Sequence, residues 1–242
     1  MRIPQENKQI ITAWESAEIV ATYIKSRAIP EVPLKILEAG CGSHWWIDLG
    51  DTPYILTGLD LDKHALEIRK NLHQDLHEII EGDLRSTNLP DNKFDVIYCA
   101  FVLEHIKEVD VVLKNFLKWL KPGGIAVVRI PDPYSVQGFI TRSTPHAFHL
   151  WVYKHLYGWS DAGKPGNPPY PTFYSDLLSR QGMHQFCEQH GFAVIGEHKE
   201  EVWYPTKFKQ FIFTTFTKLV GNLSLGILDG RYGNSMYILE KE

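Results

Sequence analysis

Residues 34–42, with the sequence LKILEAGCG, decide the fold. The short apolar run at their start predicts a β-strand over 34–38, and Gly40 and Gly42 directly after it predict a tight turn. Further strand candidates alternate with stretches of helical periodicity, which predicts an α/β fold: a doubly wound parallel sheet with helices on both faces. These further candidates are Tyr54–Asp60, Glu78–Glu81, Phe94–Cys99 and Ile125–Ile130.

Capping residues mark the helices. Thr12 and Glu15 have the spacing of a capping box, which predicts a helix from Thr12 to about Lys25. Ser179 is a plausible cap for a helix that ends at His190. The other predicted elements are a helix from Asp62 to Leu72, a helix at 109–120, and strands at Phe192–Glu197 and Ser235–Glu240.

Two insertions interrupt this pattern, residues 132–175 and residues 200–234. Seven of the chain's 14 prolines lie between Pro131 and Pro171, a density that forbids a long helix and predicts short pieces. The first insertion is also rich in aromatic residues and histidines, which indicates function in a long loop. We expect a single domain over 1–242, with an N-terminal helical cap over 1–30.

Composition limits the kind of partner. The chain has 242 residues and a formal charge of −4, and a weakly acidic protein is a poor ligand for a polyanion, so nucleic acid is not expected. The three cysteines are widely spaced and include no Cys-x-x-Cys pair, which favours a reducing compartment. Because we see neither a signal-peptide pattern nor an apolar stretch of spanning length, we expect a soluble, cytoplasmic protein.

Acidic residues close the second and third predicted strands. An acid at the tip of the second strand, here Asp60, can accept hydrogen bonds from ribose hydroxyls. After the third strand, Asp83 can accept from an adenine amino group while Leu84 packs on the ring. The glycine turn lacks the third glycine of a dinucleotide fingerprint, since Trp45 occupies that position. These residues together predict a nucleoside-containing ligand at the strand tips.

At this point the sequence resembles the class I S-adenosylmethionine-dependent methyltransferases, in their small-molecule branch. The resemblance covers residues 34–131 and 179–192, and it rests on several motifs in order. They are LEAGCGS (37–43), TGLDLD (57–62), EGDLRSTNLP (81–90), FDVIYCAFVLEHI (94–106), LKPGGIAVVRIP (120–131) and SRQGMHQFCEQHGF (179–192).

The resemblance implies a Rossmann-like three-layer sandwich whose seven-stranded, mostly parallel sheet has an antiparallel last strand. It also implies S-adenosyl-L-methionine as cofactor and S-adenosyl-L-homocysteine as product. The sequence departs from the family at His44-Trp45-Trp46, where the tryptophans either cover the cofactor or pack a lengthened loop. The implied cofactor residues are Glu38, Gly40, Cys41, Gly42, Asp60, Leu61, Asp83, Leu84, Cys99, Ala100 and Phe101.

Three histidines are candidate bases for the methyl acceptor. His105 follows the fourth strand, where open parallel sheets place ligands, and an imidazole titrates near neutral pH. The alternative is that His105 packs beside the cofactor without removing a proton. His146 and His149 in the first insertion are rival bases. A metal site at His146, His149 and His155 is not expected, because Pro145 precedes them and no acidic partner has a ligand-like spacing.

Aromatic residues of the first insertion are candidate walls of an acceptor pocket: Tyr153, Trp159, Tyr170 and Tyr174. Alternatively they pack the insertion onto the sheet. In the second insertion, apolar residues between Phe208 and Val220 recur at helical spacing beside three lysines. We prefer a core or homodimer helix here over a helix that contacts a membrane surface.

The predicted function is methylation of a small molecule, with oxygen preferred over nitrogen as the acceptor atom. One alternative is a nicotinamide-dependent oxidoreductase, which shares the glycine turn and the acid but needs a glycine at position 45. The other is a non-catalytic cofactor-binding or scaffold protein, which needs neither a base nor an open acceptor pocket.

Overall fold

The structure, a computed structural model, describes residues 10–155, 158–164, 167, 169–202, 204 and 206–242. In this part of the chain eight strands form one sheet. The strands are β1 (Ile10–Ile11), β2 (Leu34–Ala39), β3 (Tyr54–Asp60), β4 (Glu78–Glu81), β5 (Phe94–Ala100), β6 (Leu120–Pro131), β7 (Phe192–Glu200) and β8 (Asn234–Lys241). The α-helices are α1 (Ala13–Lys25), α2 (Lys63–Ile68), α3 (Val109–Trp119), α4 (Val136–Ser143), α5 (His146–His155), α6 (Arg180–His190) and α7 (Lys207–Leu223).

The strand order across the sheet is β1-β7-β8-β6-β5-β2-β3-β4. Strand β8 runs antiparallel to both of its neighbours, and every other pairing is parallel. The α/β fold and its antiparallel last strand are therefore confirmed. The count of seven strands is wrong by one, because β1 adds to the edge of β7. A strand of two residues has no alternation that a sequence could reveal.

Helices cover both faces of the sheet, because alternate strand residues point to opposite sides. Ile36 and Val96 pack with α1 on one face, whereas Leu37 and Ile97 pack with α3 and α6 on the other. The central strands are therefore buried on both sides, as parallel strands of three-layer folds usually are.

Capping confirms the predicted helix starts. Thr12 and Glu15 form the capping box of α1, and Asp62 accepts from two amides at the start of α2. Ser179 caps α6, and Gly191 ends it in a left-handed conformation. Of the expected N-terminal cap over 1–30, residues 1–9 lie outside the described residues.

The first insertion contains two short helices and the second contains one of 17 residues. Residues 132–175 include α4 and α5, and residues 200–234 include α7. Residues 156–157, 165–166, 168, 203 and 205 of these insertions lie outside the described part. No helix among the described residues has the length and the hydropathy that crossing a membrane demands.

The chain reverses its direction across the sheet between β2 and β5. From β2 it proceeds outward through β3 and β4, and it then returns to place β5 on the other side of β2. In open α/β sheets the crevice beyond the carboxyl ends of such strands binds ligands. The residues that follow β2 and β5 are therefore at the candidate site.

Candidate functional site

The turn after β2 needs glycine for two different reasons. Gly40 has a φ of +72°, and a Cβ there would lie 2.3 Å from Cγ2 of Val102, so no side chain fits. Gly42 has a φ of +52°, and a Cβ there would meet nothing within 4 Å. The turn is therefore tight on the side of β5 and open at Gly42.

Asp60 joins the tips of three strands. Its carboxylate accepts a hydrogen bond from the amide of Gly42 at 2.8 Å and another from the amide of Asp62 at 2.8 Å. Its carbonyl accepts from the amide of Gly82, after β4, at 3.0 Å. Each carboxylate oxygen keeps a lone pair for a further donor. The carboxylate is thus oriented before any ligand arrives.

Asp83 lies next to this junction, but its charge is held by Arg85. The guanidinium of Arg85 donates to both carboxylate oxygens, with the shortest distance 2.6 Å, and also to Glu108 at 2.7 Å. This hydrogen bonding holds the pKa of Asp83 below its usual range. The neighbouring Leu84 belongs to the hydrophobic core and is 4% exposed. The adenine roles of Asp83 and Leu84 stay predictions.

Glu38 lies beneath the turn, beside a buried arginine that the sequence analysis missed. Oε2 of Glu38 is 2.9 Å from a terminal nitrogen of Arg69, which is fully buried. Arg69 also donates to the carbonyl of Cys41 at 2.9 Å and to Asp75 at 2.8 Å. Burial raises the pKa of Glu38, and the guanidinium opposes that rise. Glu38 and Arg69 together hold the glycine turn from below. The burial of Arg69 could have been predicted from its place in the sequence, because it lies four residues after buried Ala65 and so on the same helix face.

The tip of β5 has a strained backbone. Phe101 has a φ of +57°, which is uncommon for a residue with a side chain. Its amide donates to the carbonyl of Arg129 at 2.8 Å, and the guanidinium of Arg129 lies 5.0 Å from the centre of its ring. Cys99 is buried and Ala100 is half-buried. Strain of this kind is typical of ligand sites.

A second buried charge cluster lies behind this tip. Arg129 donates to both carboxylate oxygens of Glu200, at 3.0 and 2.9 Å, and to the hydroxyl of Tyr98 at 3.1 Å. Ser16 donates to the same carboxylate at 2.7 Å. In the sequence, this cluster is indicated by a single arginine, Arg129, inside the apolar run of β6. The cluster joins α1, β5, β6 and β7, and so fixes Arg129 against Phe101.

His105 lies in a short helical turn, Leu103–His105, directly after β5. Its Nδ1 is 2.8 Å from the carbonyl oxygen of Pro171. A carbonyl only accepts, so Nδ1 carries the proton and Nε2 is the basic nitrogen of the neutral ring. Burial lowers the pKa of His105, and the bond to Pro171 opposes this. The ring is therefore neutral at neutral pH.

Glu104 is a buried carboxyl next to this ring. Its Oε1 lies 4.0 Å from Nε2 of His105, beyond hydrogen-bond distance, and its Oε2 has no hydrogen-bond partner among the described residues. Burial raises the pKa of Glu104 to about 8. The group is therefore protonated at neutral pH and leaves His105 without a nearby anion on that side.

Tyr170 is the predicted wall residue that reaches this region. Its ring centre is 5.6 Å from that of His105, with the rings nearly perpendicular. Burial raises the pKa of Tyr170, and the charges of Asp62 and Asp60 add to the rise. Tyr170 thus lies between the two sides of the crevice. It links the base candidate after β5 to the carboxylate after β3.

The other predicted wall residues contact one another or α4. The rings of Tyr153 and Trp159 meet edge to face at 5.5 Å. Tyr174 lies 5.1 Å from the guanidinium of Arg142, which also faces Tyr134 at 5.6 Å. The role of Tyr153, Trp159 and Tyr174 as pocket walls stays a prediction.

The rival histidines, His146 and His149, differ in their hydrogen bonding. The hydroxyl of Thr144 donates to Ile140 and so accepts from Nε2 of His149, at 2.8 Å; the backbone of Thr141 binds the same ring. Nδ1 of His146, in contrast, is buried without a partner among the described residues, and a charge on His146 would lower the pKa of His105. No three His, Cys, Asp or Glu side chains within the described ranges are placed to hold a metal ion.

The two tryptophans after the glycine turn have different surroundings. Trp45 packs against the hydrophobic core and meets the ring of Tyr98 edge to face at 5.6 Å. Trp46 is 75% exposed and stacks on His44 at 5.4 Å. Trp45 therefore packs the loop, whereas Trp46 remains open to solvent.

Comparison with known proteins agrees with this arrangement. Residues 37–128 match a family model described as a methyltransferase domain. This part of the chain is therefore a class I S-adenosylmethionine-dependent methyltransferase domain. The matched range runs from the glycine turn to β6 and so includes every strand tip described above. S-adenosylmethionine is the cofactor of this methyltransferase domain.

Curated relatives match part of this methyltransferase. Over 183 residues, 69% of the chain, it is 32% identical to phosphoethanolamine N-methyltransferase 3 of Arabidopsis thaliana, and the match covers 34% of that protein. Over 100 residues, 38% of the chain, it is 33% identical to demethylmenaquinone methyltransferase of Staphylococcus saprophyticus, with 42% of that protein covered. The chain spans less than half the length of either relative.

Solved structures share the fold of the methyltransferase along nearly its whole length. A methyltransferase from Mesorhizobium loti has a TM-score of 0.55 at 19% identity, covering 94% of this chain and 97% of that one. A sarcosine dimethylglycine methyltransferase, so described, from Galdieria sulphuraria has a TM-score of 0.59 at 13% identity, covering 95% and 86%. At such identities the likeness shows the fold alone.

The site fits the cofactor of this family. Beside Gly42 there is open space, and next to it stands a carboxylate that two backbone amides have already oriented. Asp60 has acceptor capacity left for hydroxyl donors, which suits a ribose. The carboxylate and the open turn that would receive the cofactor are therefore already in place.

Proposed function

We propose that this chain transfers a methyl group from S-adenosylmethionine to a hydroxyl oxygen of a small-molecule acceptor, with His105 as the general base. The observation that carries the proposal is the hydrogen bond between Nδ1 of His105 and the carbonyl of Pro171. It leaves Nε2 as the basic nitrogen, at the point where the sheet reverses direction.

On the cofactor side, the backbone of Gly40, Cys41 and Gly42 binds the methionine portion and Asp60 binds the ribose. Glu38 acts through Arg69, which holds the turn, so it positions the site and does not touch the ligand. When bound, S-adenosylmethionine supplies an electrophilic methyl group on a sulfonium. The remaining proposed contacts are Leu61, Asp83 and Leu84 around the adenosyl group and the backbone of Cys99, Ala100 and Phe101 near the sulfonium.

On the acceptor side, His105 takes the proton of the attacking hydroxyl at Nε2. Tyr170 packs against the His105 ring and holds the acceptor next to it, while the more distant Tyr153, Trp159 and Tyr174 shape the outer pocket. His146 is the alternative base, because it lies close enough to His105 to affect its pKa. His149 is bonded within its own segment and positions α5.

Oxygen is preferred over nitrogen as the acceptor atom because a general base helps a hydroxyl more than it helps an amine. A neutral amine attacks first and can lose its proton afterwards to water. A hydroxyl is a poor nucleophile until its proton begins to leave, so a correctly placed imidazole helps it most. A neutral His105 with an unengaged Nε2 therefore has its clearest use with a hydroxyl acceptor.

Calorimetry tests the cofactor side. S-adenosylmethionine and its demethylated product should bind the wild-type chain, and Asp60→Ala should weaken both by about 10–100-fold, the worth of charge-assisted hydrogen bonds. Asp91→Ala removes a carboxylate from the loop before β5 and should leave both affinities unchanged. Unchanged affinity in Asp60→Ala would show that the ribose assignment is wrong.

An acceptor screen tests the reaction. Phenols, other alcohols and amines are offered with S-adenosylmethionine, and the methylated products are identified by mass spectrometry. Methyl ethers from hydroxyl acceptors are expected. Products methylated only at nitrogen would overturn the choice of acceptor atom, and tight cofactor binding without any product would favour a scaffold role.

A further inference from the structure

Helix α7 is attached to the protein by small and polar side chains and by one aromatic contact, the stacking of Phe213 on Tyr204 at 4.7 Å. Thr217 is buried and its hydroxyl donates to the carbonyl of Gly230 at 2.8 Å. A Cβ on Gly221 would lie 2.7 Å from the amide nitrogen of Gly230, so the two backbones touch. Gln210 donates to the carbonyl of Val202 at 3.1 Å. An ordinary surface helix turns its apolar face toward the core, whereas α7 turns a mostly polar face inward.

The large apolar side chains of α7 lie on the opposite, outer face. At about 100° per residue, positions 208, 212, 219 and 223 fall on one side of the helix. These side chains leave about half or more of their surface in water, so something else must cover them or they stay exposed at a cost. Their exposed fractions are Phe208 72%, Phe211 71%, Ile212 44%, Phe216 48%, Leu219 56% and Leu223 73%.

The apolar face continues past the end of the helix. Leu225 is 92% exposed and Ile227 is 73% exposed. Together with the six exposed side chains of the helix they make eight exposed large apolar residues between positions 208 and 227, which we call the α7 face. Scattered exposed hydrophobic residues are ordinary, but so many within 20 positions indicate an interaction site.

Lysines border the α7 face on both edges. Helical geometry places Lys207 and Lys218 along one edge and Lys209 along the other. The sequence from 206 to 228 contains no Asp or Glu, although the chain as a whole has a formal charge of −4. The α7 face is thus a cationic segment of an acidic protein. Its charges are placed where the long stems of lysines can reach past buried apolar groups.

A second copy of the chain is a poor match for this face. A two-fold dimer that packs α7 on α7 buries the same surface from both copies. It would bring cationic edges toward cationic edges, with no acidic side chain on either helix to meet them, and like charges at an interface are costly. An anionic partner with an apolar interior matches both the charge and the apolar area.

We propose that the α7 face seats this protein on an anionic lipid surface. The helix lies in the plane of the membrane, with its phenylalanines and leucines at the boundary of the acyl chains and its lysines at the headgroup phosphates. Aromatic and aliphatic residues on one face and lysines at its edges are typical of interfacial helices. Polar contacts with Gly230 and Val202 keep the helix fixed to the fold while this face is buried in lipid.

The α7 face lies near the proposed acceptor side. Helix α7 packs against α4, and Arg142 of α4 contacts Tyr174 of the segment that also carries Tyr170. On the proposed function, the helix that touches lipid therefore neighbours the segment that covers the acceptor. Lipid binding itself needs neither cofactor nor acceptor, so it can be tested separately.

Flotation with vesicles tests the proposal. The full chain is mixed with vesicles of phosphatidylcholine containing one third phosphatidylglycerol, or with pure phosphatidylcholine, and centrifuged through a density gradient. Binding is expected to the anionic vesicles and to weaken with added salt. The double variant Phe211→Gln/Leu219→Gln should bind at least about tenfold more weakly. The double variant Lys207→Gln/Lys218→Gln should lose about tenfold or more on anionic vesicles.

The matched control is Leu72→Gln with Lys70→Gln. Leu72 is 73% exposed in the turn after α2, beside the β3–β4 end of the sheet and far from α7 in strand order. Thermal unfolding and cofactor affinity of all variants should stay at wild-type values, which shows that they fold. Loss of flotation in the α7 variants but not in the control supports docking.

Two outcomes would overturn it. One is wild-type protein that does not float, or α7 variants that float as well as wild type. The other is sedimentation that shows a wild-type dimer, and monomeric α7 variants, without vesicle binding; the face would then belong to a second copy.

Discussion

The proposed cofactor side of the crevice and the proposed acceptor side are built by different interactions. On the cofactor side, backbone amides of Gly42 and Gly82 bind Asp60, and strand tips are tied to one another at 2.8–3.0 Å. On the acceptor side, rings pack against rings and against guanidinium groups, as at Tyr170 and Arg142. Hydrogen bonds are directional and fix a geometry, whereas ring contacts tolerate adjustment. The same crevice thus joins a rigid cofactor cradle to a more adaptable acceptor wall.

Helices α3 and α7 also differ, in the direction that their apolar faces take. In α3, apolar residues recur at helical spacing and all face the core, with Phe116 and Trp119 buried. In α7, apolar residues recur at similar spacing but face outward, and Thr217 and Gly221 face inward. Periodicity therefore shows that a helix has an apolar face. It does not show whether that face meets the protein's own core or another partner.

Replacing His105 should give the largest loss of activity. If it did not, the contrast between the two sides of the crevice would not hold. His105→Gln should lower kcat by about 100–10,000-fold, the usual contribution of a general base. Cofactor affinity should not change, because the cofactor side is held independently. In the wild type, kcat/KM should fall about tenfold per pH unit as the pH drops below the pKa of His105, which burial lowers from 6.5. That acid limb should be missing from the variant.

The control for this experiment is His64→Gln, which changes an exposed histidine of α2. It should leave kcat, cofactor affinity and the pH profile as they are. A loss of less than about tenfold in His105→Gln would move the proton transfer to another group, with His146 tested next.

A pair of phenylalanines compares the two helices directly. Phe116→Ala should lower the free energy of unfolding by about 3–5 kcal/mol, because it leaves a cavity in the core. Phe211→Ala should change it by no more than about 0.5 kcal/mol, because that ring is 71% exposed. Urea denaturation measures both. If Phe211→Ala cost as much as Phe116→Ala, the α7 face would be packed within the chain and the contrast would disappear.

The cofactor side could be predicted largely from sequence because its determinants are local. Apolar strands end in the residues that form the site, so Gly40, Gly42 and Asp60 could be placed at neighbouring tips from their positions alone. Arg69 was missed because a charged residue on a helix is normally assigned to solvent. Its partners, Glu38 and Asp75, become neighbours only after the sheet has formed.

The acceptor side could not be predicted to the same depth. Composition singled out the aromatic residues, but their partners are set by contacts between segments distant in sequence. Tyr170 reaches His105 across 65 positions of chain, 170 − 105, while Tyr174 turns to Arg142. For α7 the preferred interpretation included a core helix, and the large exposed fractions of its apolar residues contradict that part. The two-residue strand β1 was invisible for lack of any periodicity.

A pH-dependent effect on stability is expected from the buried carboxyl beside His105, and it tests whether the fixed geometry of the cofactor side extends to the proposed base. Burial raises the pKa of Glu104 from 4.5 to about 8, so between these values the folded chain keeps a proton that the unfolded chain has released. The free energy of unfolding must therefore fall as the pH rises across this interval, by at most about 1.4 kcal/mol per pH unit from this group. Glu104→Gln resembles the protonated form and has no proton to lose. Its advantage in stability over wild type should grow with pH to at most about 4 kcal/mol near pH 8, and it should vanish near pH 4.5.

Denaturation in urea across that interval measures the difference between wild type and Glu104→Gln, from which the separate contribution of Glu38 cancels. Glu67→Gln, an exposed carboxyl of α2, is the control and should leave the pH dependence unaltered. If Glu104→Gln and wild type fell in parallel, Glu104 would be charged in the folded protein. The ring of His105 would then have an anion 4.0 Å from Nε2, its pKa would be raised, and the acid limb of the rate profile would shift to higher pH.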